Sequence, residues 1–226
     1  MGKKTADHAE RRPLTRELIV QTSIAIIERD GAKALTMRKI ATELGVGVMS
    51  LYNHVPNKDE LLAAVAESVL AGLDVPEREA GPDQDWKLHA RAMAGAFRAV
   101  AHRYPRSMHL VLTSPAGRMA GGRTAERALA LFAAAGFDAA TAVNALCAFM
   151  SYMIGAQMLE EGALSMTGRP PEDHLDADAE IDLDEIPRVV ELADELMRVD
   201  PDADFEYGLE MLLCALDRLP RGASKV

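Results

Sequence analysis

A chain of 226 residues suits one small module plus a larger one, or a single large helical domain. With 49% hydrophobic and 27% charged residues it can bury a real core, and aromatics at only 4% beside abundant Ala, Leu, Met and Glu favour helices over sheets. A net charge of −10 argues, taken alone, against a nucleic-acid partner, but the charge is uneven: residues 1–60 hold ten Lys/Arg against eight Asp/Glu, while the remainder carries −12. That asymmetry fits a DNA-contacting N-terminal module carried by an acidic body that could not itself wrap DNA.

No run approaches the roughly 20 apolar residues that span a bilayer. The basic start (Lys3, Lys4, Arg11, Arg12) lacks an apolar stretch behind it, so no signal peptide is expected. Location is therefore expected to be cytoplasmic, with no membrane partner. Cys147 and Cys214 lie within apolar helical patterns and read as small buried hydrophobes of a reducing compartment.

In chain order, residues 1–13 read as a polar tail. Thr15 is a good N-cap, with Leu14 and Ile19 as a hydrophobic staple, and Gly31 closes this first helix. Thr36 caps a second helix in which Met37, Ile40, Ala41 and Leu44 fall on one face. Gly45-Val46-Gly47 breaks it, and a third short helix runs from about Val48 to His54 until Val55-Pro56 stops it. Asn57 caps a connecting helix with Glu60 as capping-box partner, carried by Leu61, Leu62, Val65 and Val69 to about Leu73. Residues 74–82, with two prolines and Gly81, mark the boundary between a DNA-binding domain at 1–73 and a second domain at 74–226.

Beyond it the expected elements are all helical. One covers about 83–103, a short one follows Pro105, and Ala116–Gly122 reads as a Gly-rich loop. Arg123 to Ala135 is a helix closed by Gly136, and Asp138 caps a long helix to about Glu161 with Val143, Leu146, Met150 and Met153 on one stripe. Residues 165–187 form an acidic connection, followed by helices at about 185–198 and 202–219. In the last, Phe205, Leu209, Leu212, Leu216 and Leu219 recur as a coiled-coil-like seam. The fold class is thus all-α.

Two short helices joined by a tight glycine-containing turn have the geometry of a helix-turn-helix. Ile40, Leu44, Val46 and Leu51 are its expected minimal core, Ala41 is small where the helices cross, and Val48, Met49, Ser50, Tyr52, Asn53 and His54 are left to point outward. The run Leu35-Thr36-Met37-Arg38-Lys39-Ile40-Ala41, then Leu44-Gly45-Val46-Gly47, then Leu51-Tyr52-Asn53-His54-Val55-Pro56-Asn57-Lys58 resembles the N-terminal domain of the tetracycline-repressor family over about residues 14–64. The resemblance implies that Thr36 and Arg38 contact phosphate or groove, that Val48, Met49 and Ser50 face base edges, and that Tyr52, His54 and Lys58 reach phosphate, with Asn53 beside them. Val48 and Met49 can meet thymine methyls but cannot hydrogen-bond.

Trp86, Phe97, Met108-His109-Leu110, Ala135-Gly136-Phe137, Leu159-Glu160 and Phe205-Glu206-Tyr207-Gly208-Leu209-Glu210 extend the resemblance to the C-terminal domain of the tetracycline-repressor subgroup. There the family's His and Glu, matched by His109 and Glu160, help to bind a metal-chelated drug. A lone His and a lone Glu fifty residues apart more often hydrogen-bond or face solvent, so no cofactor is required. A divalent metal accompanying the ligand would use His109. Two positions that grip tetracycline in the family align with Asp74 and Met93, so tetracycline itself is not implied. Met93, Phe97, Met150 and Met153, with Met158, are placed to line an adaptable apolar pocket. The acidic run from Asp176 to Asp184 fails the calcium-loop template, having Ile181 for its glycine and Pro187 for its glutamate.

The resemblance implies a homodimer that reads a palindromic DNA operator as a transcriptional repressor and is released by a small-molecule inducer. The final helix and the long helix from Asp138 would pack against their symmetry mates. The sign of regulation is open on sequence. An all-α enzyme using His109, Glu160 or His174 is the alternative of another class, but no nucleophile–base or metal cluster stands at local spacing, so no enzymatic activity is expected.

Overall fold

In the computed structural model residues 13–73, 86–167, 185–198 and 200–221 are described; side chains are described within these ranges except at 161–167. The basic tail, the expected linker at 74–82, His174, the acidic run and most of the 165–187 connection lie outside the described residues. Every regular element among the described residues is helical.

The first four helices follow their local signals. Helix α1 (Arg16–Asp30) starts where the Thr15 side chain accepts the Leu18 N–H at 3.1 Å. Helix α2 (Met37–Leu44) starts where Thr36 accepts from the Lys39 N–H at 3.1 Å, satisfying one of the donors that every helix start leaves open. Thr36→Ala should cost about 1 kcal/mol, read as a shift of the urea midpoint. Gly45 then takes φ 65°, ψ 32°, a left-handed conformation that costs a residue with a Cβ about 1–2 kcal/mol. The turn leads to α3 (Val48–Tyr52), which stops two residues short of the expected His54. Asn57 caps α4 (Lys58–Leu70) by accepting from the Glu60 N–H at 2.8 Å. The capping box is not reciprocal in the expected way, because Glu60 Oε1 accepts from the Asn57 side-chain amide at 3.4 Å instead.

Next come α5 (Trp86–Arg103), α6 (Pro105–Thr113), α7 (Pro115–Ala120), α8 (Gly122–Ala134) and α9 (Ala139–Thr167). Three further helices close the chain: α10 (Pro187–Glu191), α11 (Ala193–Leu196) and α12 (Pro201–Asp217). The Gly-rich stretch expected as a loop is helix α7. Ser114 accepts from the Gly117 N–H at 3.0 Å and Pro115 sits in the first turn, a start signal that outweighs the glycines. Gly117 is required by packing: a Cβ there would overlap the Val111 carbonyl of α6. The single helix expected at 185–198 is two short ones, α10 and α11.

By packing the chain forms two units, one of Met1–Pro76 with Ala99–Ala125, the other of Glu77–Arg98 with Glu126–Val226. The expected division at residue 73 therefore omits a segment, since α6 and α7 pack on α4, and α6 also on α1, within the first unit. That unit's core holds Ile19, Ile26, Ile27, Leu35, Ile40, Ala41, Leu51, Val55, Leu61 and Val65. Leu44 and Val46, expected in it, are only half-buried.

The second unit is built around edge-to-face aromatics. Phe132 lies 6.0 Å from both Trp86 and Phe137 and 6.4 Å from Phe149, and the Arg221 guanidinium covers the Phe137 ring at 3.8 Å. Helices α9 and α12 pack together: the Tyr152 hydroxyl donates to the Phe205 carbonyl at 2.5 Å, beside Gly208, where a Cβ would lie 2.7 Å from the Tyr152 ring. The buried face of α9 is Ala142, Ala145, Phe149 and Met153; Met150 and Leu146 flank it and Val143 is exposed. In α12 the buried set is Phe205, Leu209, Leu213 and Leu216, with Leu212 half-buried, and Leu219 lies exposed beyond the helix end. The α9 stripe is rotated by about one residue from that expected, while α12 keeps Phe205, Leu209 and Leu216 and replaces only Leu212 by Leu213, because a helix apolar on more than one face does not reveal which face its own chain covers. For the same reason Cys147 and Cys214, expected to be buried, are exposed on these two helices. The stretch Ala139–Glu160 of α9 is long and apolar enough to cross a bilayer by composition, with mean hydropathy 1.4 and only 22% buried in the chain. The expectation that no run approaches that length is corrected by this helix.

Candidate functional site: a helix-turn-helix and a helical body

Helix α3 is anchored from beneath by Leu51 and Val55, exposed by 0% and 1%. On its outer side Met49 is 76% exposed and Tyr52 40%, and Asn53 and His54 are exposed in the turn that follows. Val48 and Ser50, also expected to face outward, are half-buried flanks. Thr36 is exposed, but its hydroxyl is engaged as the α2 cap. This surface therefore offers two thioether or aromatic groups for apolar contact, and Asn53 and His54 for hydrogen bonds.

The charges around it divide into locked and available. Arg29 pairs with Asp30 and, at 2.5 Å, with Glu43, and Lys39 pairs with Asp30 at 2.7 Å. Arg38 and Lys58 are exposed and form no ion pair among the described residues, so their charge is free for phosphate. Hydrogen bonds from Arg29 and then Lys39 hold the Asp30 carboxyl well below its ordinary range. A depressed carboxylate contributes stability that is complete above its unfolded value of about 3.8 and disappears as pH falls toward its folded value. Thermal midpoints should therefore fall more steeply below pH 4 in the natural chain than in Asp30→Asn; parallel pH profiles would contradict this.

Of the expected effector residues, Phe97 (4% exposed) and half-buried Met93 lie on α5, and Met153 (4%) and half-buried Met150 on α9. Glu160 is not a lone carboxylate. It accepts from Arg98 Nη2 at 3.2 and 3.3 Å, and Arg98 Nη1 reaches Asp202 at 2.5 Å, so one guanidinium bridges α5, α9 and α12. Burial opposes the charge on Arg98, but the Asp202 hydrogen bond and the Glu160 charge outweigh it and raise its pKa. Sequence reasoning missed Arg98 because its partners lie 62 and 104 residues away. His109 is exposed on α6 and belongs to the other packing unit from Glu160. No group of three His, Cys, Asp or Glu able to hold a metal occurs among the described residues. A groove of about 730 Å³, also unforeseen, opens between α4 and α7 and is lined by Asp59, Glu60, Leu62, Glu67, Met119 and Arg123, among others.

Residues 19–65 match the family described as "Bacterial regulatory proteins, tetR family", and residues 78–218 match "Tetracyclin repressor-like, C-terminal domain". The chain is 30% identical over 204 residues to the class A tetracycline repressor protein from transposon 1721 of Escherichia coli, covering 88% of each chain. It is 30% identical over 158 residues to the HTH-type transcriptional repressor DrrR1 of Streptomyces coeruleorubidus, covering 69% of this chain and 58% of that protein. Its fold is similar to that of the Streptomyces coelicolor TetR family protein ActR in complex with actinorhodin, with a TM-score of 0.66, 28% identity, and coverage of 91% of this chain and 97% of that one. With an exposed helix-turn-helix near its start and a larger, all-helical second unit, the chain belongs to the tetracycline-repressor family of DNA-binding transcriptional regulators.

Proposed function

We propose that this protein is a ligand-responsive transcriptional repressor that binds a palindromic operator as a homodimer and is released by a small-molecule inducer. The observation that carries the reading is the exposed surface of Met49, Tyr52, Asn53 and His54, flanked by Arg38 and Lys58, which form no ion pair among the described residues. Thr36, Arg38, Tyr52, His54 and Lys58 contact phosphate, while Val48, Met49, Ser50 and Asn53 meet base edges. Relatives named as repressors support the sign, and one structural neighbour holding actinorhodin supports a small-molecule effector.

The second copy covers the apolar surface left on α9 and α12: Val143, Met158, Leu159, Tyr207 and Met211 are each 49–77% exposed. An exposed area of this kind on a family of DNA-binding regulators favours a protein partner over lipid, and with it a cytoplasmic location. Met93, Phe97, Met150 and Met153 supply the apolar surface for the effector, and Glu160 is its polar group, acting through the bridge to Arg98. The site as proposed requires no cofactor, and the protein acts by binding, not by catalysis. The effector prefers the state in which α4 is tilted and the two reading heads are misplaced, so DNA and effector weaken each other's binding by the same factor.

The test is fluorescence anisotropy against duplexes selected from a random pool, repeated over a salt series. A palindrome bound at nanomolar level, with log affinity falling by about 0.9 per phosphate contacted, supports the proposal. Weak, sequence-blind binding after selection overturns it.

A further inference from the structure

Helix α6 begins without a cap of its own. Pro105 occupies its first turn, and Tyr104 before it makes no capping hydrogen bond. The open N–H groups are taken by a carboxylate 78 and 79 residues away: Glu28 Oε2 accepts from Arg106 at 3.2 Å and Glu28 Oε1 from Ser107 at 2.8 Å. The exchange is mutual. Arg106 Nη1 donates to the Glu28 and Arg29 carbonyls at 2.9 and 2.8 Å, two of the acceptors left open where α1 ends. A carboxylate thus sits at the positive end of α6 and a guanidinium at the negative end of α1, each favoured by the helix dipole it faces. The Ser107 hydroxyl is fully buried without a partner among the described residues, so the Glu28–Arg106 exchange, not the helix's own polar side chain, seats α6 here.

The next two residues of α1 face the other way. Arg29 holds Glu43 at 2.5 Å and Asp30 holds Lys39 at 2.7 Å, and both partners are on α2. Three consecutive residues, Glu28, Arg29 and Asp30, therefore join α6 to the first helix of the helix-turn-helix. We propose that Glu28 and Arg106 are positioning residues for DNA reading, forming with Arg29 and Asp30 a charged relay from α6 to α2 that does not pass through α4. A displacement of α6 would pull on the last turn of α1 and rotate α2 with it.

This inference rests on the DNA-binding reading above, and the experiment separates the two. Glu28→Gln, Arg106→Lys and Glu43→Gln are made in the full chain and compared by amide hydrogen exchange and by anisotropy on the selected operator with its half-sites at native spacing and one base pair apart from it. Glu28→Gln keeps the size and one acceptor, and Arg106→Lys keeps the charge but not the fork. Preference for native spacing should fall by about fivefold or more in each, with no further loss in Glu28→Gln combined with Arg106→Lys. Exchange should accelerate at Arg106 and Ser107 and also in α2, while α4 stays protected. A purely stabilising role would weaken both spacings equally and speed exchange everywhere, which overturns the proposal; so do α2 amides that stay as protected as in the natural chain. The exchange arm decides even if no operator is found, and Glu43→Gln, at the exposed end of the relay, decides if the Glu28 variant does not fold.

Discussion

Gly117→Ala will destabilise the protein by about 3 kcal/mol or more. The added Cβ has no space: it overlaps the carbonyl oxygen of Val111, and the atoms closest behind it are also Val111 backbone. A side chain in the way could rotate, but backbone cannot move without shifting α6 or α7 as a whole. Val111 is itself 4% exposed, so the shift would disturb the packing beneath α4 as well. The control is Gly95→Ala on the exposed face of α5, where nothing lies within 4 Å of the new Cβ. That change should stabilise by about 0.5–1 kcal/mol, because alanine loses less backbone entropy on entering a helix. Urea denaturation of the two variants beside the natural chain decides. Equal midpoints would mean that α7 does not approach α6 as closely as described.

Val143→Asp combined with Met211→Asp will leave the chain monomeric and lower operator affinity by about 100-fold or more, since one copy reads only one half-site. The two residues are 49% and 58% exposed in the single chain, so the substitutions should change the stability of the monomer by roughly 0.5 kcal/mol or less. At an apolar interface the same carboxylates would be desolvated without partners, at a cost of several kcal/mol each. Light scattering should then give a mass near 24.4 kDa in place of twice that value. A double variant that stays dimeric and binds the operator normally would show that this face is not where the copies meet.

The sequence by itself determined the all-helical class, the caps at Thr15, Thr36, Asn57 and Asp138, the left-handed turn at Gly45 and the two short helices of the helix-turn-helix. These are local: each depends on one side chain reaching a backbone N–H three residues on, or on one residue tolerating positive φ, so a few adjacent letters carry them. The end of α3 is two residues earlier than the sequence suggests, because Asn53 keeps helical angles after the helix has stopped. Helix α7 is not legible locally because its glycines mask the Ser114-Pro115 start signal, and the demand for Gly117 comes from α6, outside its own helix. Only the tertiary structure decided which face of α9 is buried, that Leu213 and not Leu212 completes the buried face of α12, that Cys147 and Cys214 are exposed, and which charges are already paired. Apolar residues surround more than one side of both helices, and periodicity cannot tell the core of one chain from a face left for another. The joining of Glu160 to Arg98 and of Glu28 to Arg106 spans 62 and 78 residues, and a pair of opposite charges at such separations has no signature in the chain. The tertiary pairs Arg29–Glu43 and Lys39–Asp30 likewise decide that Arg29 and Lys39 are engaged in holding α2 while Arg38 and Lys58 are in no ion pair among the described residues, and a guanidinium or ammonium already facing a carboxylate has little attraction left for phosphate.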